Sequence, residues 1–283
     1  MPELIPQLLA EDFIFLEGPR WHDGKLWVSD MFAETVFTIN SHGRRERVAT
    51  VPQRPSGLGF MPDGRLLIVS MHDQKLLRHG PDGLDEIADV SSLVEGDIND
   101  MVVDRHGRAY IGSFGYDLMA GEPEKPANIV LGTPDGNARV VATDLGFPNG
   151  TVISPDGKKL IVAETFANRL SAFDIDGDGS LSHRKVFAQF SEYTPDGICL
   201  DADGAVWVSS FATGEFVRVE SGGNVTDTIS VPNKCAVACA LGGKDRKTLF
   251  LLTAETTVEE LSQGHSKAFI ETVEVNVPGA GLP

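Results

Sequence analysis

The chain reads as an all-β protein, a six-bladed β-propeller with a central channel, and three observations predict it. A tight-turn dipeptide followed by a short apolar strand recurs, with 40, 43, 50, 47 and 39 residues between successive turn glycines. No stretch sustains a helical period. The 30 Gly and 16 Pro among 283 residues favour many turns, and repeats of about 40–50 residues with several strands each are those of propeller blades.

In chain order, Asp23-Gly24 precedes Leu26-Trp27-Val28, Asp63-Gly64 precedes Leu66-Leu67-Ile68-Val69, and His106-Gly107 precedes Ala109-Tyr110-Ile111. Asp156-Gly157 then precedes Leu160-Ile161-Val162, and Asp203-Gly204 precedes Val206-Trp207-Val208. A weaker sixth copy has Gly243 ahead of Leu249-Phe250-Leu251-Leu252. An Asp-Gly pair between apolar runs predicts a hairpin, with positive φ expected at both central residues. Six units fill the length without remainder and no linker divides them, so residues 1–283 are expected to form one domain.

Composition narrows the partners. With 24 Lys+Arg against 41 Asp+Glu the formal charge is −17, and a phosphate backbone or an anionic membrane needs clustered cations instead. No apolar run approaches the ~20 residues that span a bilayer. Met1-Pro2-Glu3-Leu4-Ile5-Pro6 lacks the basic start and apolar stretch of a signal peptide. Cys199, Cys235 and Cys239 lie in apolar runs, as reduced buried thiols do. A cytoplasmic setting is expected.

The repeat makes a geometric prediction. A strand precedes each turn, and its first residue is expected eight positions before the turn glycine, or seven in the shorter first copy. Those residues are Glu17, Ser56, Asn99, Asn149, Asp196 and Cys235. If that strand is the innermost of its blade, all six line the channel mouth. The next strand runs back, so the loops after it return to the same face. They carry Met31-Phe32, Met71-His72, Phe114-Gly115-Tyr116, Thr165-Phe166 and Phe211. A polar floor inside aromatic walls is how small-molecule pockets are built.

Glu17 and Asp196 bring two carboxylates, and Asn99 and Asn149 two amide oxygens, to one register. Hard oxygen donors suit Ca²⁺, Mg²⁺ or Mn²⁺ rather than a thiolate-loving ion, with Zn²⁺ a further candidate, and two negative charges balance one divalent ion. Taken singly, Asn149-Gly150 and Asp196-Gly197 also read as turn residues and Glu17 as a solvated charge. The shared register favours the converging set, because carboxylates that meet without a cation repel.

The same residues carry a resemblance. Glu17-Gly18-Pro19, Asn99-Asp100 before Val103-Asp104, Pro148-Asn149-Gly150, Pro195-Asp196-Gly197 and Cys239-Ala240-Leu241-Gly242-Gly243 resemble, in order and spacing, the SMP-30/gluconolactonase/luciferin-regenerating-enzyme family, itself related to the diisopropyl-fluorophosphatases. The similarity runs from about Glu11 to about Thr253. It implies a six-bladed propeller with a divalent metal, often Ca²⁺, in its channel, and hydrolysis of a small-molecule lactone or ester. By the resemblance Glu17, Asn149 and Asp196 bind the metal, Asn99 touches metal or substrate, and Asp196 moves the proton. Asp100 is the alternative base, because a cation weakens the basicity of a carboxylate bound to it.

One departure stands out. Sugar lactonases of the family carry Arg two residues before that Asn, where this chain has Asp97. An acceptor replaces a donor, which argues against a simple aldonolactone, and the aromatic walls favour a less polar lactone or ester. Asp97, Asn99, His72, Phe114, Tyr116 and Phe166 are the expected substrate contacts. A phosphotriester or fluorophosphate hydrolase on the same cage, and a non-enzymatic binding scaffold, are the rival readings.

Other motifs carry less. Asp174-Ile175-Asp176-Gly177-Asp178-Gly179 opens like a Ca²⁺-binding loop, but its twelfth position is Lys185 where a bidentate Glu is required, so a hairpin turn is expected. No serine-hydrolase elbow, zincin helix or phosphate-binding loop occurs.

Overall fold

Each turn signal closes a hairpin between the first and second strands of a four-stranded sheet. A computed structural model describes residues 4–118 and 120–281, and among them the strands form six four-stranded antiparallel sheets. Met1, at the start of the expected domain, lies outside the described residues. The first strands, Leu16–His22, Pro55–Phe60, Ile98–Val103, Pro148–Ile153, Pro195–Leu200 and Cys235–Gly242, each contact the first strands of both neighbouring blades. They form a closed ring around the axis, which is the six-bladed propeller.

The turn chemistry holds with one change. All six turn glycines have positive φ, from +72° to +84°, but among their preceding residues only Asp23 shares it. Elsewhere the amide of the turn glycine bonds back three residues, Gly64 to Met61 O at 2.8 Å and Gly157 to Ser154 O at 2.8 Å. These are type I turns ended by a left-handed glycine, which keeps the Asp in ordinary backbone space. The Asp176–Gly179 segment is likewise a turn, between strands Arg169–Ile175 and Leu181–Gln189.

Closure of the ring is a feature that the repeat count does not reveal. The outer strand of the sixth blade is the N-terminal strand Gln7–Phe13, which pairs antiparallel with Lys267–Glu274. The last sheet is thus made from both ends of the chain, and neither of its faces can form without the other end. Arg45 Nη1 of the first blade donates to Asp12 O at 2.6 Å, and its guanidinium lies 5.1 Å from the Phe13 ring.

Between blades the core is apolar. Trp207, Phe216, Cys239, Leu249 and Leu251 fill the space between the fifth and sixth blades, and Tyr110, Leu131, Leu160 and Val162 that between the third and fourth. Alternation along each strand sends these side chains to the two faces of the sheet. All three cysteines are free; Cys199 Sγ lies 3.6 Å from Cys239 Sγ. No helix among the described residues is long and apolar enough to cross a membrane. The longest helix described is the five-residue Val258–Ser262.

Candidate metal centre and active site

The register residues occupy the second position of the inner strand in the first five blades, one place later than expected. The residue before each already pairs with the second strand: Leu16 with Asp30, Pro55 with Ser70, Ile98 with Ser113, Pro148 with Glu164, and Pro195 with Ser210. Pairing then slips in all five blades, a bulge that re-aims a side chain. Asn149-Gly150 and Asp196-Gly197 therefore lie inside strands rather than turns, and Glu17 is buried.

The glycines that follow have a separate purpose. A Cβ at Gly150 would overlap the backbone of Asp196 and Ile198, and one at Gly197 would overlap Ala238. Their absence of side chain lets adjacent inner strands approach until the register residues converge.

Glu17, Asn99, Asn149 and Asp196 meet at the floor of one cavity of about 470 Å³. All four are buried. Burial first, then the negative charges of Asp196 and Asp100, push the Glu17 carboxyl well above the usual range. Burial likewise raises Asp196 well above it, with the charge of Asp100 adding and a hydrogen bond with Asn149 opposing. Asp100 is not among the residues lining this cavity. Arg20 Nη2 donates to its carboxylate at 2.9 Å, and the same guanidinium bonds the carbonyls of Pro19 and Met101. The Arg20 charge opposes the rise at Glu17 only as the smallest of the causes, and among the described residues neither Glu17 nor Asp196 forms an ion pair with a cationic side chain.

The amides are set for acceptance. Asn149 Nδ2 donates to Thr165 Oγ1 at 3.4 Å, and that hydroxyl donates to Pro195 O at 2.7 Å. Asn149 Oδ1 is left buried with no partner, an expensive condition for an amide oxygen. Asn99 Oδ1 accepts from Ser56 Oγ at 3.3 Å, so the second blade's register residue positions the third's. An orphaned amide oxygen, a second amide and two uncompensated carboxylates fit a hard divalent cation. Among the described residues no group of three or more His, Cys, Asp or Glu offers a competing metal site.

The expected walls are partly as drawn. Met31, Phe114, Thr165, Phe166 and Phe211 line the cavity. His72, Asp97 and Tyr116 do not. His72 Nδ1 sits 2.9 Å from both carboxylate oxygens of Asp97, so donor and acceptor satisfy each other on neighbouring loops. Tyr116 is buried, its backbone packed against Gly96. Substrate contact by these three finds no support in the cavity's geometry. Cys235 holds the sixth register position, but its thiol is directed to Thr256 O at 3.6 Å.

Several lining residues escaped the sequence reading. Phe15, Phe147 and Thr194 each stand two positions before a register residue, so a fixed offset in the repeat could have found them. Phe147 has φ +61°, a strained value for an aromatic residue, and it tilts against Phe114 and Phe166 at 4.5 and 4.7 Å between ring centres. Leu118, from a loop, and Val258 and Leu261, from the short helix Val258–Ser262, lie where the sequence has no repeat to index them.

Fold and site together define a class: a six-bladed propeller whose channel mouth holds a buried carboxylate and amide cage under an apolar pocket. Residues 15–255 match the model described as the SMP-30/Gluconolactonase/LRE-like region. The chain belongs to that family. It is 24% identical, over 100% of its own length and 99% of the relative's, to a 6-deoxy-6-sulfogluconolactonase of Pseudomonas putida. Its fold is similar to that of a luciferin-regenerating enzyme, with a TM-score of 0.83, 18% identity and 98% of each chain covered. It is also similar to the calcium-binding protein regucalcin of Agrobacterium tumefaciens, with a TM-score of 0.77, 23% identity, and 99% and 98% of the two chains covered.

Proposed function

We propose that this chain is an ester-bond hydrolase that opens a small-molecule lactone with the help of one divalent cation, Ca²⁺ first. The observation that carries the reading is the buried, partnerless Asn149 Oδ1 beside two carboxylates that form no ion pair among the described residues. Family membership and the lactonase name of the P. putida relative support it. The name of the Agrobacterium neighbour, a calcium-binding protein, favours the ion. Three free cysteines fit a reducing cytoplasm.

Glu17, Asn99, Asn149 and Asp196 would hold the cation. When bound, it supplies Lewis-acid charge for the ester carbonyl oxygen. The chain does the rest. Asp196 accepts the proton of the attacking water at a carboxylate oxygen and returns it to the departing ring oxygen. Asp100 is already engaged by Arg20 and serves to fix the channel floor. Phe147, Phe166 and Phe211 exclude bulk water and hold the ring over the floor, where fixed charges act with little solvent screening.

A lactone panel and a fluorophosphonate, each assayed with and without chelator, test this reading. Lactone turnover should vanish with chelator, return with Ca²⁺ and exceed phosphonate turnover. Full activity in chelator, or activity confined to the phosphonate, contradicts it.

A further inference from the structure

Resting on the lactone-hydrolase reading above, we propose that the substrate is a lactone carrying an apolar alkyl or aryl substituent, with few or no free hydroxyls. Above the four-residue floor the cavity wall is built mainly from Phe15, Phe114, Phe147, Phe166, Phe211 and Leu261. Among the described residues no Lys, Arg or His lines it, so an anionic substituent finds no counter-charge.

Two of the three hydroxyls in the wall have committed their protons, and the third already accepts a backbone amide. Thr165 donates to Pro195 O at 2.7 Å, and Ser262 donates to Glu259 O at 2.7 Å. Thr194 Oγ1 accepts from the Ala212 amide at 3.1 Å. A polyhydroxylated ring would lose its water here and regain few partners, and each unpaired buried hydroxyl is penalised. An apolar chain meets the opposite balance. It gains contact with the aromatic wall and covers Phe166 and Val258, which are 41% and 69% exposed at the mouth.

A short helix forms one side of that mouth. Val258–Ser262 is fixed by a capping box in which Thr257 Oγ1 accepts from the Glu260 amide at 3.2 Å and Glu260 Oε2 from the Thr257 amide at 2.9 Å. It presents Val258 and Leu261 to the cavity, opposite in character to the charged floor. The ester carbonyl thus goes to the floor and the substituent toward this helix.

The experiment compares γ-butyrolactone, its homologues with progressively longer alkyl chains on the carbon beside the ring oxygen, and gluconolactone, on the Ca²⁺-loaded protein. The value of kcat/KM should rise about three- to fourfold per added methylene until the cavity fills. The best alkyl lactone should exceed gluconolactone at least about tenfold. Phe166→Ser and Leu261→Ser should flatten the dependence on chain length. Gluconolactone turnover equal to or above that of the alkyl series, a flat series, or a slope unaffected by both variants overturns this inference and leaves lactone hydrolysis standing. If no lactone is opened at all, the lactone-hydrolase reading falls and takes the inference with it.

Discussion

Asn149 shows how much a single atom can say about a site. Its amide nitrogen is held by Thr165 and its oxygen has no partner, so the side chain is oriented and then left unsatisfied. Glu164 is the contrasting residue, buried at the end of strand Lys159–Glu164 in the same blade. Burial would raise its carboxyl, but hydrogen bonds from Arg169, Ser171, the Gly146 amide and Arg184 outweigh burial and hold it down at about 2. Unfolded, the group titrates near 4.5. The folded value is depressed, so its stabilisation is fully present above pH 4.5 and is lost as pH falls toward 2. Glu164→Gln should therefore cost about 2–3 kcal/mol at neutral pH, with the gap to wild type closing on acidification. Denaturant unfolding across that pH range measures it, and a gap that does not change with pH contradicts the assignment. Satisfied acids such as Glu164 hold a blade together, whereas Glu17 and Asp196 are acids the fold leaves unbalanced.

At the scale of elements, the inner strand is both wall and carrier of the site residues. Gly150 sits where a Cβ would meet the next blade's backbone, so Gly150→Ala should overpack the ring and cost about 1–3 kcal/mol. Thermal unfolding should show a fall of several degrees, and an unchanged Tm would mean that the strands are not closely apposed. The N-terminal strand makes a second prediction. A chain lacking residues 1–13 loses the outer strand of the sixth blade and exposes the edge of Lys267–Glu274. It should unfold at lower temperature and self-associate, as calorimetry and gel filtration would show; a monomer with wild-type Tm would contradict closure through this strand. Blade number, hairpins and site register were legible in the sequence because each recurs and can be indexed against a turn glycine. Phe147 and Thr194 were recoverable by the same index. The pairing of Gln7–Phe13 with Lys267–Glu274, the Arg20–Asp100 pair and the His72–Asp97 pair were not, because each joins distant positions through contacts that leave no periodic trace. For the same reason the sequence shows nothing of the contact between Asp97 and His72.

For the whole molecule, the net charge of −17 is mostly carried by acids outside the channel, where it favours solubility and leaves chemistry untouched. Two acids at the axis matter more, because six blades converge there and both are buried. The ring turns a one-dimensional repeat into a point: residues as far apart in the chain as Glu17 and Asp196 become neighbours because each sits second in an inner strand. The central claim is that this point is a single cation site and that hydrolysis depends on it. The most direct measurement is a Ca²⁺ titration of the metal-free protein, followed by calorimetry and by lactone hydrolysis in parallel, for wild type and Asp196→Asn. The account predicts a single ion per chain, turnover that rises in step with binding, and a variant that stays folded yet loses turnover by about 10²-fold or more. Saturating Ca²⁺ without effect on turnover, or an Asp196→Asn protein that hydrolyses lactone at the wild-type rate, would contradict it.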